Sequence, residues 1–446
     1  MEIFGFDLIF GRAQKGIKPP HWKFTKEKKT EKLPLPDEVI IPLSQHIGAP
    51  CKAVVKMRDE VKVGQIVGEA GGFVSAPIHS TVSGKVKKMG QMVHLITGRV
   101  IDTVIIESDG KDEWAETYEP LDPDTASIDD LRGRINEAGI VGLGGATFPT
   151  RVKLSPPPGK VIDTIIINGC ECEPYITSDH RLMLEDGEKI LGGIKVLMKI
   201  LSCDNVLIAI EDNKPDAIAH MEKLVSKEGL AATVKVKSLP SKYPMGAEKT
   251  LAKILLGKEV PLGALPFEIG ALIQNVSTMK AIYDAVFKGI PLVERTMTVT
   301  GEVNNPKNLQ VRFGTPIRTL IEHCGGLTKD AGKVIFGGAM MGLSQYDLDA
   351  PVIKGTNCIL VKKAEHWTER DCIGCSRCIN ACPMDLLPTM YVKLVKAKKF
   401  VECGDNYIEN CVECGSCTYS CPSKIPLVQY IKVGKGELMK IKRREG

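Results

Sequence analysis

No apolar run in this chain of 446 residues approaches the eighteen or so that a bilayer-crossing helix needs, so a membrane span is not expected. Its start, MEIFGFDLIFGRAQKG, has no positive segment ahead of the apolar residues and no small-residue cleavage site after them, so a secretory signal is not expected and the cytoplasm is. The lysine runs over 23–32 and 432–446 lack the aromatic-basic interleaving of a nucleic-acid surface, which disfavours nucleic acid as a partner. They read as solvated faces, with docking to an acidic partner or to anionic headgroups as the alternative.

The length calls for about three or four domains. A hydrophobic content of 43% and a charged content of 25% are ordinary for a soluble protein. Fifteen cysteines are present, but eight of them fall into two cassettes of the form C-x2-C-x2-C-x3-C-P, so metal-bound thiolates are a better reading than disulfides. Three thiolates from one tight loop reach successive corners of an iron-sulfur cube, and the cysteine before proline reaches the other cube, as in bacterial ferredoxins. The expected ligands are Cys372, Cys375, Cys378 and Cys421 for one 4Fe-4S cluster, and Cys411, Cys414, Cys417 and Cys382 for the second. Structural zinc usually takes two separated C-x2-C pairs and fits less well. Between the cassettes, residues 384–400 predict an amphipathic helix. Cys51, Cys203, Cys324, Cys358 and Cys403 stand outside the cassette spacing and read as packed thiols.

Residues 142–153 read GLGGATFPTRVK. A dinucleotide fingerprint is disfavoured, because its third glycine position is Thr147 and the preceding residues 131–141 look helical rather than extended. A β-branched run over 161–168 predicts a buried strand, and it ends in the acidic turn NGCECEP at 168–174. Such a turn lies where α/β folds place ligands. Bare amides of the glycine loop could cradle phosphate beside Lys153, while Asn168 and Glu171 could hydrogen-bond a ribityl chain or a ring edge. A glycine turn that merely closes an α/β domain is the alternative.

GLGGATFPT, NGCECEP with DHRLM at 179–183, YPMGAEKT at 243–250 and QNVST at 274–278 together resemble the flavin-binding, NADH-oxidising subunit of respiratory complex I. They are closer still to the C subunit of the Rnf ion-translocating electron-transport complex, and PPHW at 19–22, IPLSQHIGAP at 41–50, IFGGAMMG at 335–342 and TNC at 356–358 extend the resemblance over nearly the whole chain. The resemblance implies FMN against Gly142, Gly144, Lys153, Asn168, Glu171, Gly246, Asn275 and Thr278, with NAD(H) as substrate beside Phe148, Glu173 and Glu248. The chain departs from the complex I pattern at Cys170, which stands for an acid, and at Cys172, which stands for a serine. The order Gly246, Ala247, Glu248, Lys249 also lacks a second acid.

The expected fold class is multidomain α/β and α+β. An N-terminal extension spans 1–37, and a barrel-sandwich hybrid without a carrier lysine at its tip, Ala70 to Phe73, spans 38–115. A Rossmann-like FMN and NADH domain covers 116–294, a β-grasp module of the SLBB type 295–350, and a helical two-cluster ferredoxin-like domain with a basic tail 351–446. His79 reads as a satisfied core or surface residue rather than a ligand. A flavin beside two one-electron carriers converts hydride into single electrons. The resemblance implies the NADH-oxidising or NAD-reducing subunit of an ion-translocating NAD:ferredoxin oxidoreductase. It would lie peripherally on the cytoplasmic side of the membrane, with iron-sulfur and integral membrane subunits as partners and ferredoxin as an indirect one. Two rivals are a docking subunit with a vestigial flavin site and a relative of the first subunit of the sodium-pumping NADH:quinone reductase, which lacks such cassettes.

Overall fold

The computed structural model describes residues 15–94, 98–116 and 118–445. The apolar N-terminal stretch that bears on the secretory signal lies outside them. Strands Val234–Leu239, Val206–Glu211, Thr164–Gly169 and Ala271–Asn275 form, in that order, a four-stranded parallel sheet. Ile165, Ile166 and Ile167 are wholly buried, as a strand covered on both faces requires. The chain lays down Thr164–Gly169, moves outward twice, then returns to place Ala271–Asn275 on the other side of the first strand. That reversal opens a crevice at the carboxyl ends of Thr164–Gly169 and Ala271–Asn275. Helix Ile128–Glu137, expected from the sequence, is started by a capping box between Ser127 and Asp130.

Two small antiparallel sheets close over Val39, Ile41, Val67, Ile78, Val86, Val104 and Ile106 to form the barrel-sandwich module. At its tip the guanidinium of Arg151 lies 5.0 Å over the Phe73 ring and donates to the Phe73 carbonyl. The tip therefore braces the segment just after the glycine loop. His79 is a core residue at 1% exposure, and burial holds it neutral by pushing its pKa down to about 3.

A six-stranded mixed sheet follows, and it does not respect the boundaries read from the sequence. Cys358–Lys363 pairs with Glu294–Gly301 and with Ala331–Phe336, so the sheet continues past residue 350. Thr30–Lys32, from the expected N-terminal extension, adds an edge strand beside Lys307–Arg312. Both pairings join residues far apart in sequence, where local patterns carry no signal. The last part is helical. The amphipathic segment between the cassettes forms a helix only over Pro388–Lys396, with proline in its first turn, and packs on Leu427–Glu445. Among the described residues no helix is long and apolar enough to cross a membrane.

Candidate functional site

Asn168 and Asn275 are register partners at the crevice. The Asn168 amide donates to the Gly246 carbonyl at 2.8 Å and its oxygen accepts from the Cys170 N–H. Asn275 caps its helix by accepting from the Ser277 N–H, and its amide donates to Asp179 at 2.7 Å. The Asp179 carboxyl, pushed up by burial, also accepts from Ser277 Oγ. The glycine loop closes above this network. Gly142 N–H donates to the Phe148 carbonyl and Thr147 N–H to the Gly142 carbonyl. Leu143 N–H donates to Thr278 Oγ1, and buried Arg295 donates to the Leu143 carbonyl. At Gly144 a Cβ would come within a tight 3.3 Å of the Asn275 Cβ, and Gly145 adopts φ +112°, a conformation that favours glycine. Gly144, Gly145 and Ala146 are exposed, and their amides meet no acceptor among the described residues. A run of bare amides at the mouth of a topological switch point suits the phosphate and polar edges of a flavin nucleotide.

The structure thus gathers Gly142, Gly144, Asn168, Gly246 and Asn275 around one crevice but gives other expected residues different surroundings. Thr278 is wholly buried under the loop. The Glu171 carboxylate faces the start of helix Ser178–Glu185, accepting from the Asp179 N–H at 2.6 Å, the His180 N–H and Ser178 Oγ. Lys153 donates to Glu248 at 2.6 Å and to the Ile273 carbonyl, so the residues expected on FMN and on NADH are joined to each other. Glu173 accepts from the Met340 and Met341 N–H groups rather than standing free beside Phe148. Burial pushes Cys172 up to about 12 and Cys170 well above the usual thiol range, which keeps both as neutral neighbours. Sequence reasoning missed Arg295, Tyr243 and Lys23; the Lys23 ammonium donates to the carbonyls of Glu171, Glu173 and Ile176 and so ties down the acidic turn. Asp179 stood inside a quoted motif, but its role depends on a tertiary contact.

At the helical end, Cys382, Cys411, Cys414 and Cys417 line one cavity together with Leu386, Val428 and Ile431. Cys382 comes from the first cassette, so the fold sets one cysteine of the first cassette beside three of the second. Burial pushes Cys411 up to about 11 and Cys417 up to about 12, and Cys382 is among the neighbouring thiols that add to both shifts. Cys378 has Cys421 and Cys372 as its neighbours in the same sense. Among the described residues no three His, Cys, Asp or Glu side chains form a group able to hold a single ion. Four thiols lining one cavity suit a 4Fe-4S cluster, in which each thiolate takes a different iron. The second cassette also touches the flavin-type domain: Tyr243 Oη donates to the Cys414 carbonyl at 2.8 Å.

Four family models match the chain: the RnfC barrel sandwich hybrid domain over residues 11–111, the Nuo51 FMN-binding domain over 135–284, the SLBB domain over 296–344 and the 4Fe-4S dicluster domain over 371–425. The chain is 46% identical to the C subunit of the proton-translocating ferredoxin:NAD(+) oxidoreductase complex of Clostridium ljungdahlii, over 86% of this chain and 84% of the relative. It is 42% identical to the C subunit of the Na(+)-translocating ferredoxin:NAD(+) oxidoreductase complex of Acetobacterium woodii, over 89% and 90%. The C subunit of the ion-translocating oxidoreductase complex of Rhodobacter capsulatus is 41% identical, over 84% and 73%. An FMN-binding domain and a two-cluster 4Fe-4S domain in one chain agree with the cofactors expected from the sequence. The chain belongs to the RnfC family, the C subunits of the ion-translocating ferredoxin:NAD(+) oxidoreductase complexes.

Proposed function

We propose that this chain is the NAD(H)-facing subunit of an ion-translocating ferredoxin:NAD(+) oxidoreductase, binding FMN in the switch-point crevice and two 4Fe-4S clusters at its helical end. The supporting observation is continuity: the acidic turn, the 337–342 loop and the second cassette meet through Glu173, Met340, Tyr243 and Cys414. When bound, FMN exchanges a hydride with NAD(H) and releases electrons singly, which 4Fe-4S clusters carry one at a time.

The protein's own part is to bind and orient. The amides of Gly144, Gly145 and Ala146 would hold anionic or polar atoms of the nucleotide, with Lys153 as the nearby positive charge. That role requires the Lys153–Glu248 pair to loosen or to share the ammonium with the phosphate. Asn168 and Gly246 would face the flavin, while Thr278, Asn275, Asp179, Glu171 and Arg295 hold the crevice in shape. Phe148 and Glu248, at the open side, would meet the nicotinamide nucleotide. No general base is needed, so pre-organisation and exclusion of water are what these side chains contribute.

The cluster held by Cys382, Cys411, Cys414 and Cys417 would lie nearer the flavin. The one held by Cys372, Cys375, Cys378 and Cys421 would face an iron-sulfur partner subunit, since Cys372 and Cys375 are exposed. Membrane-embedded subunits would do the ion translocation and hold this chain on the cytoplasmic face. The identity of the ion belongs to those subunits in this reading, because relatives of similar identity are named for protons and for sodium.

The test is anaerobic. The full chain with reconstituted clusters is expected to hold FMN non-covalently and to show bleaching of both flavin and cluster absorption on addition of NADH. Clusters without flavin and without NADH-dependent bleaching would instead identify an electron-transfer docking subunit.

A further inference from the structure

Tyr243 is 2% exposed and carries one hydroxyl proton. Two acceptors lie near it: the Cys414 carbonyl oxygen at 2.8 Å and Glu173 Oε1 at 3.5 Å. The shorter distance is an ordinary O–H donor length and the longer is marginal, so the proton belongs to Cys414. The backbone of Tyr243 is held separately, by a reciprocal pair of 2.9 Å hydrogen bonds with Ile17. Glu173 is fixed from the other side by the Met340 and Met341 amides, and Gly338 admits it: a Cβ there would stand 2.3 Å from Glu173 Oε2. The same loop presents the Met340 carbonyl to Gly415, which has φ +77° and would place a Cβ 2.9 Å from that oxygen. Three segments remote in sequence are therefore locked around one buried hydroxyl, and that hydroxyl is spent on a peptide of the second cassette.

The peptide that carries the Cys414 carbonyl carries the Gly415 N–H at its other end. Donation to the oxygen polarises this peptide and places positive charge density beside a ligand residue, which favours the form of the site with one more electron. Among the described residues the first cassette has no counterpart: Cys372, Gly374 and Cys375 lie on an exposed loop. We infer that Tyr243 is a positioning residue that seats the second cassette against the flavin-type domain and, through its hydrogen bond to the Cys414 carbonyl, raises the reduction potential of the cluster held by Cys382, Cys411, Cys414 and Cys417. The inference rests on the cluster assignment proposed above.

The test is a mediated redox titration of the reconstituted full chain, followed by EPR, in a Cys375→Ser background that leaves the second cassette's cluster to be read alone. With Tyr243→Phe, the ratio of reduced to oxidised cluster at a fixed potential is expected to fall about tenfold, which is 59 mV for a one-electron couple. Retained iron and flavin with an unmoved midpoint would overturn the inference. If Tyr243→Phe loses iron, 3-fluorotyrosine at position 243 keeps the shape and strengthens the donor. The midpoint should then rise, and a midpoint that stays in place or falls would count equally against the inference. Mediators and a chemical reductant drive this titration, so it reads Tyr243 even if NADH fails to bleach the flavin. Loss of bleaching in the unsubstituted chain would sink the proposed function instead.

Discussion

The two cysteine cassettes have the same spacing, but the loops that open them have different surroundings. In the first, Cys372 and Cys375 are exposed, Ile373 is 71% exposed, and every residue from 363 to 377 faces solvent. In the second, Cys414 and Cys417 are each 7% exposed, Gly415 is pressed to Met340 and Tyr243 reaches the Cys414 carbonyl. Spacing answers to the geometry of a 4Fe-4S cube and is blind to location. Burial is set by what lies next to each loop, and it separates an inner loop packed against Tyr243 and Met340 from an outer one at the surface.

The largest effect tests whether the cassettes are two sites at all. Cys382 belongs by sequence to the first cassette and by structure to the cavity of Cys411, Cys414 and Cys417. Cys382→Ser is expected to abolish or convert the inner cluster and spare the outer one, as seen by iron content and EPR. Damage confined to the outer cluster would undo the crossed assignment and with it the inner-outer distinction. Next in size is a difference in rate. A membrane-impermeant oxidant or an iron chelator reaches exposed ligands first, so the outer cluster should be lost several-fold faster than the inner one. Equal loss rates in a time course would mean that the bound clusters are shielded alike.

A third effect belongs only to the inner side. Lys153→Ala removes the ammonium proposed to face the nucleotide phosphate and leaves Glu248 without its partner. The affinity for FMN is expected to fall about tenfold, the size of a single charge-assisted hydrogen bond. Iron in both clusters should be unchanged. Unaltered flavin occupancy in an equilibrium titration would move the phosphate site away from Lys153.

Local patterns made much of this legible. The doubled C-x2-C-x2-C-x3-C-P, the glycine loop, the buried strand and the acidic turn are each set by steric or bonding needs that act within a dozen residues. What stayed hidden depends on partners far along the chain. Glu171 carries a carboxylate suited to a ligand, yet it is taken by the start of the next helix. Thr278 looks like a contact but supports Leu143 from beneath. Cys358–Lys363 falls within the span expected for the helical cluster domain, but it pairs with Glu294–Gly301. Tyr243 gave no signal of its role, because its acceptor lies 171 residues away.

The smallest effect concerns the wall between the crevice and the inner cassette. Burial pushes the Glu173 carboxyl up to about 7, against the opposing pull of the Met340 and Met341 amides. Its folded value thus lies above the unfolded value of 4.5. Between these limits the folded chain holds a proton that the unfolded chain has released, so Glu173 lowers stability progressively as pH rises from about 4.5 to 7 and by a constant amount above that. Glu173→Gln removes this titration. The drop in denaturation midpoint from about pH 5 to about pH 8 should be smaller in the variant than in the unsubstituted chain. If Glu173→Gln leaves the drop as large as in the unsubstituted chain, the enclosure that distinguishes the inner cassette does not extend to its neighbouring carboxyl.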